Sequence, residues 1–596
     1  MFVKIKKLIV SLLCLTFLIS GCSDNDASAN SDGGHEPITM AYAYQSASAF
    51  LALVHEKYPE VNLVMEPYSG GNTTQYITEA FEYGELPDIV MRSYYSPSSD
   101  DVSDLMLDMS GYAFSDNYSP ARIKEVSDNG AIYFLPQYYS CLGITYNKTL
   151  LEENGWELPT SFKELEELAP KVIAAGYNLC LNQTQYPGYG FQYLCNISDT
   201  GFLSTLEGRK WQAAYLDGTS NVSSSEEMLE CLEIFKKWRD IGMLNGDGDP
   251  LNDNNTRDIM AKGNTLFMIG SSNGIVGNDE LTDEFSIMPY LSMDGDQNTY
   301  VMTVDRYYGI NKKLSEEGNE QKLEDALKVM EVLSTKEGMR ALMGESRYKS
   351  SLLPLKDYEV PEDNYYVSVK DDIDSGNTAP LIYTGWENCA VEVGNAALNF
   401  IKGEAELSDI ISAFDDNQDK VVNNTPDVYC TVSEEMSYED VAKLVGISFG
   451  KAANVDIALI SLNKFIEGGP DNQNTIGISR KLFKGQIVSE QTISSFVPTS
   501  WSGTIQVMTM SGKRIKELAE TGYGRYHLDE TYPYVLVTRD GFEIDDDTTY
   551  KFVVCAATTE VGEEGNVEDT GLNGLKAVED YLADYDVISA DVLKWE

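Results

Sequence analysis

Little in this 596-residue chain is placed to make or break bonds. Its three histidines, His35, His55 and His527, lie far apart, and no D-x-H or G-N-H-D sequence accompanies them. A two-metal phosphoesterase needs His and Asp ligands clustered in space, so that chemistry is not expected. No C-x-x-C pair and no phosphate-binding glycine loop occurs. Recognition chemistry is better supplied. Tyrosine numbers 37, and tyrosines recur beside amides, hydroxyls and guanidinium groups. The candidates are Tyr42, Tyr44 and Gln45; Arg92, Tyr94 and Tyr95; Tyr138 and Tyr139; Ser271, Ser272 and Asn273; and Arg306 and Tyr307. Trp386 joins them from a later Tyr-Thr-Gly-Trp-Glu-Asn segment. Aromatic rings stack on the C–H faces of a sugar while polar tips bond its hydroxyls.

The elements that must position these groups alternate between strand and helix. Ile38 to Tyr44 reads as a strand. Ala49, Phe50, Leu53 and Val54 follow at helical spacing, and Tyr58-Pro59 stops that helix. Val61 to Met65 is the next strand, so a β-α-β unit with parallel pairing is expected. Strands are also read at Gly84 to Val90, Ile132 to Pro136 and Leu142 to Lys148. Ser161-Phe162-Lys163-Glu164 is a capping box for a helix burying Leu165, Leu168, Val172 and Ile173. Leu323, Ala326, Leu327, Met330 and Leu333 share one face of another helix. In open α/β sheets a ligand sits outside the carboxyl ends of the strands, where most of the candidates fall. Asp88, beside such an end, is assigned to structure.

Composition and the N-terminus bound the setting. Lys+Arg number 44 against 95 Asp+Glu, a net charge of -51 that repels nucleic acid. Lys4, Lys6 and Lys7 precede an apolar run from Leu8 to Ile19, too short to span a bilayer. It ends at Ile19-Ser20-Gly21-Cys22, which resembles a bacterial lipobox with Cys22 as the lipid-bearing residue. The expected order is a signal peptide at 1–21, a polar tether at 22–36, a first region at 37–422, a linker at 423–434 and a second region at 435–596. Of the 9 cysteines, Cys141, Cys180, Cys195, Cys231, Cys389, Cys430 and Cys555 lie beyond the anchor, and are expected to be small buried hydrophobes.

Five blocks in order carry a resemblance. They are the G-x-x-P-D-I-V strand at Gly84 to Val90, Leu135 to Lys148 ending in Tyr-Asn-Lys, and Leu158 to Leu165. Gly263 to Gly270 and Tyr-Tyr-Gly-Ile-Asn-Lys at Tyr307 to Lys312 complete the set. The first region resembles family 1 extracellular solute-binding proteins. That likeness implies two α/β lobes joined by crossing strands and closing on a ligand like a hinge. It implies a surface lipoprotein that hands a carbohydrate to the permease subunits of an ABC importer. The chain is then a monomer outside the cell, needs no cofactor, and meets the membrane only through its lipid. A peptide or nucleoside ligand, or a sensor or adhesion role, are the competing readings.

The second region reads as α/β with a helix opening at Ser437-Tyr438-Glu439-Asp440 and a buried strand at Val455 to Ser461. Its order resembles the C-terminal domain of bacterial 5′-nucleotidases. Where that family has N-x-G-G-x-R, this chain has Ser461 to Ile466, and where it has P-F-x-N, this chain has Pro498-Thr499-Ser500-Trp501. Both departures argue against nucleotide binding, and the family's metal-dependent catalytic half is absent from the sequence.

Overall fold

The computed structural model describes residues 35–43, 47–68, 73–83, 85–93, 95, 97, 102–184, 187–246, 256–270, 275, 281–374, 378–381, 386–423, 427–463, 477–498, 503–522, 533–555 and 566–596. The expected signal, tether and lipid-bearing Cys22 lie outside these residues, as do Tyr44, Gln45, Tyr94, Ser271, Ser272, Asn273 and Trp501. No helix among the described residues is long and apolar enough to cross a membrane.

The first lobe starts with the expected unit. Strand β1, Ile38–Tyr42, pairs parallel with β2, Leu63–Pro67, around helix α1, Ala47–Lys57. Helix α2, Thr73–Glu82, leads into β3, Ile89–Arg92, which joins β1 on its other side. Asp88 ties the two together, because its carboxylate accepts from the Thr39 amide at 2.9 Å. Antiparallel to β3 runs the long strand Tyr300–Ile310, which also pairs with Leu135–Leu142 and, in parallel, with Thr378–Pro380. In this sheet β2 is the far edge and the Tyr300–Ile310 strand lies three places away.

The chain crosses to a second lobe through these same strands. Leu135–Leu142 continues into Ile144–Asn147, a member of a four-stranded sheet with Phe285–Met288, Thr265–Ile269 and Asn178–Asn182. Gly143 sits at the crossing, where a Cβ would stand 2.5 Å from the Met288 carbonyl oxygen of the returning chain. Only glycine permits that approach. The helix expected after Ser161 forms at Phe162–Ala174, its first turn capped by the Ser161 hydroxyl accepting from the Glu164 amide. Two other helices, Pro187–Ser198 and Glu387–Ile401, touch backbone to backbone. A Cβ on Gly190 would lie 2.4 Å from the Gly394 carbonyl oxygen, and one on Gly394 would lie 2.0 Å from that of Pro187.

Trp386 caps the second of these helices and corrects the sequence reading. Its side chain is 0 % exposed. The rings of Tyr215, Phe414, Phe191 and Trp211 surround it at 5.2, 5.4, 5.7 and 6.0 Å. No face remains for a ligand. A glycine before it suggested a loop, but the ring is the centre of the second lobe's core.

Asp199 is also sealed in that core, with neither carboxylate oxygen hydrogen-bonded. Burial pushes its pKa well above the ordinary carboxylate value, and the Arg209 charge only partly opposes this. The folded state therefore holds a neutral acid, whereas the unfolded chain ionises above about pH 4. Stability from this group is full below that pH and declines as pH rises. Asp199→Asn, which needs no proton, is expected to raise the melting temperature by a few degrees at pH 7 and by less at pH 5. Calorimetry at the two pH values checks this; an equal or negative shift at both removes the assignment.

Residues 428–596 build two further sheets around their own core, so the second region begins inside the expected linker at 423–434, whose Val428–Val432 pairs into a sheet. Val428–Val432 is central in a three-stranded sheet, and the buried strand expected near Val455 forms at Ile457–Ser461 in a five-stranded one. Helix Tyr438–Ala453 starts at Ser437, whose capping box with Asp440 is complete. All seven cysteines beyond the N-terminal segment are free and buried.

Candidate ligand cleft

A cavity of about 210 Å³ opens between the two lobes at the crossing strands. Its floor is Ser140, Cys141, Leu142 and Gly143 from one crossing and Thr303 from the other. The second lobe contributes Thr145, Tyr189, Gln192, Tyr193, Gly270, Ile287 and Tyr290. The first lobe closes it with Arg347, Ser350 and Ser351, and Tyr366 lies alongside. No carboxylate is among these lining residues, which in a chain of net charge -51 is a selected environment.

Several lining groups are held in place by fixed partners. The Tyr193 hydroxyl donates to the Gln183 carbonyl at 2.8 Å and accepts from the Gln183 amide at 3.0 Å. Its ring stacks with that of Tyr189, 6.2 Å away, which is half-buried. Asn196 donates to the Tyr290 hydroxyl at 3.2 Å. The Cys141 amide donates to the Tyr366 hydroxyl at 3.1 Å, which fixes that ring on the hinge. Arg347 donates to the Tyr138 hydroxyl at 2.9 Å. Burial pushes up the pKa of Tyr193, Tyr290 and Cys141, so all three stay neutral at ordinary pH. By contrast, the Ser351 hydroxyl is fully buried and has no hydrogen-bond partner within the protein. A buried hydroxyl left unpaired costs free energy, and a ligand in the cavity would relieve it. The arrangement orients neutral polar groups and offers no nucleophile–base pair. Among the described residues, no group of three His, Cys, Asp or Glu is placed to hold a metal ion.

The residues chosen from sequence fare unevenly. Tyr42 and Tyr138 are both 0 % exposed in the first lobe's core, so neither has surface to present to a ligand. Tyr138 stands behind the cavity and positions Arg347 instead. Tyr139 is likewise buried, its hydroxyl donating to Glu125 at 2.7 Å. Arg92 lies at the carboxyl end of β3, 5.7 Å from the ring centres of both Tyr95 and Phe134. Tyr307 meets Tyr95 edge-on at 5.9 Å, and both Tyr307 and Arg306 are half-buried. Arg92 is only 3 % exposed, so of these three Arg306 and Tyr307 alone keep surface, and all lie outside the cavity's lining. Sequence reasoning missed Thr145, Tyr189, Gln192, Tyr193, Arg347, Ser351 and Tyr366. Tyr193 follows Tyr189 at helical spacing, which could have marked a ring pair on one helix face; nothing local marks the others.

Residues 48–358, just over half of the chain, match the family described as bacterial extracellular solute-binding protein. Solved structures share the fold. A sugar transporter from Bacillus licheniformis in complex with stachyose is 14 % identical at a TM-score of 0.51, over 65 % of this chain and 100 % of that one. A binding protein from Bacillus subtilis in an open conformation is 12 % identical at a TM-score of 0.53, over 65 % of this chain and 98 % of that one. A chitin oligosaccharide binding protein is 13 % identical at 0.52, over 65 % and 99 %. With two lobes, crossing strands and a cavity between them, the chain belongs to the bacterial extracellular solute-binding proteins.

Proposed function

We propose that this protein captures a carbohydrate outside the cell and delivers it to an ABC importer, closing its two lobes on the sugar without chemistry of its own. The cavity carries the reading: its lining sets hydroxyls, an amide, tyrosine rings and one guanidinium beside the apolar Leu142 and Ile287, with no carboxylate. Such a surface bonds sugar hydroxyls and covers an apolar ring face. A volume of about 210 Å³ suits one sugar ring buried at the hinge, with further units extending outward. Structural neighbours that carry stachyose or are described as binding chitin oligosaccharide support the same ligand class. The protein acts as a monomer held at the extracellular face of the cell membrane by lipid on Cys22, and residues 428–596 are a 5′-nucleotidase C-terminal-like domain kept without its catalytic half.

A thermal-shift screen of the mature protein against oligosaccharides, nucleosides and peptides tests this, since a ligand that binds only the native state raises its melting temperature. A shift with nucleosides or peptides and none with sugars overturns it. With the sugar so found, Tyr189→Ala is expected to weaken binding about 10- to 100-fold, for a lost ring contact worth about 1–3 kcal/mol. Titration calorimetry reads the loss. The anchor is tested separately: Cys22→Ala is expected to release the protein or leave it as uncleaved precursor, and lipid-labelled membrane protein in that variant contradicts it.

A further inference from the structure

The domain after residue 427 is attached to one lobe by its chain and to the other by its packing. The helix Gln418–Asn423, from which it departs, belongs to the second lobe: Val421 is in that lobe's core and Gln418 donates to the Tyr215 carbonyl at 2.9 Å. Three residues, 424–426, separate this helix from Asp427. Asp427 is fixed at once, because its carbonyl accepts from the Glu490 amide at 2.9 Å and Val428 enters the sheet opposite Ser489. Lys420 reaches both Glu392 of the second lobe, at 3.4 Å, and Asp427, at 3.9 Å.

The packing contact lies elsewhere, on α2 of the first lobe. Arg480 pairs with Glu79 at 2.8 Å with side chains only 3 % and 6 % exposed. The other Glu79 oxygen accepts from the Thr492 hydroxyl at 2.6 Å, and the Arg480 guanidinium stands 5.5 Å over the Tyr76 ring. Tyr83 stacks on Phe483 at 5.0 Å, and the Tyr68 hydroxyl donates to the Ser495 carbonyl at 3.4 Å. Tyr68 directly follows β2, the sheet edge opposite the crossings. At about 4.8 Å per strand, three places put the Tyr68 end of this dock about 14 Å to the side of the Tyr300–Ile310 crossing strand, while α2 itself packs beside β3.

We infer that the C-terminal domain is a strap across the two lobes that restrains their relative rotation. A dock fixed to the first lobe moves relative to the second lobe when the lobes rotate. The connection from Asn423 to Asp427 is four peptide units and reaches at most about 14 Å. A rotation that stretches the connection beyond that reach must either break the buried dock or unravel the Gln418–Asn423 helix. The inference rests on the hinge reading of the cleft.

The test lengthens the strap and leaves both attachments intact. Twelve Gly/Ser residues are inserted between Asn424 and Thr425 of the full chain. Spin labels are placed through Glu56→Cys on the first lobe and Glu166→Cys on the second, both exposed positions. Distances between the labels are then measured without ligand. The insertion is expected to broaden the distribution, at an unchanged melting temperature. Identical distributions with and without the insertion overturn the strap. Adding stachyose to the uninserted protein reports on the hinge independently: a shortened distance establishes closure whatever the insertion does. An insertion that widens nothing while stachyose still closes the lobes rejects the strap alone.

Discussion

Trp386→Ala is expected to cost about 3–5 kcal/mol of stability, the range for removing a fully buried large aromatic, and to leave sugar affinity unchanged in the surviving folded protein. The indole fills the space between Phe191, Trp211, Tyr215 and Phe414, which in turn hold the helices at Pro187–Ser198, Leu206–Leu216 and Leu407–Asp416 together. Those helices cannot all move inward to close a hole of indole size, so the cavity persists. Trp386→Phe should recover most of the loss. Thermal melts without ligand, paired with titrations below the transition, separate this from a ring lying on the sugar. An unchanged melt with affinity reduced about 10-fold or more would place the indole in the site after all.

Comparable in size is the effect of breaking the Glu79–Arg480 pair from one side. Both side chains are nearly water-free. Removing one charge strands the other in a low-dielectric interface, at a cost of about 3–5 kcal/mol. Glu79→Ala also removes the shorter of the Thr492 hydroxyl's contacts, leaving it the Ile487 carbonyl at 3.3 Å. The single variant is expected to loosen the C-terminal domain from the first lobe, read as new protease cleavage near residues 424–426 and a lowered first melting transition. Glu79→Met with Arg480→Met should lose much less than either single change, since two apolar groups leave no charge buried alone. A double variant as unstable as the sum of the singles contradicts the account.

What local sequence determines here is the run of elements. Period-3.6 and period-2 apolar patterns, with Ser161 and Ser437 as caps, placed α1 and the starts of the helices at Phe162–Ala174 and Tyr438–Ala453. The β1-α1-β2 unit followed because a crossover helix between two strands makes them parallel. Ordered motifs carried the solute-binding fold. Element periodicity says which face of a helix or strand is buried, though, and not what it is buried against. Tyr42, Tyr138 and Trp386 have the residue type of a sugar contact, and the tertiary packing turned their rings into core. The cavity is assembled from Ser140–Gly143, Tyr189–Tyr193, Thr303, Arg347–Ser351 and Tyr366, segments that meet only because two crossing strands bring the lobes face to face. The same holds for Glu79 and Arg480, which are about 400 residues apart in the chain and 2.8 Å apart in the fold. Contacts at such separations are decided by how sheets and helices pack, a property of the whole surface that no local pattern encodes.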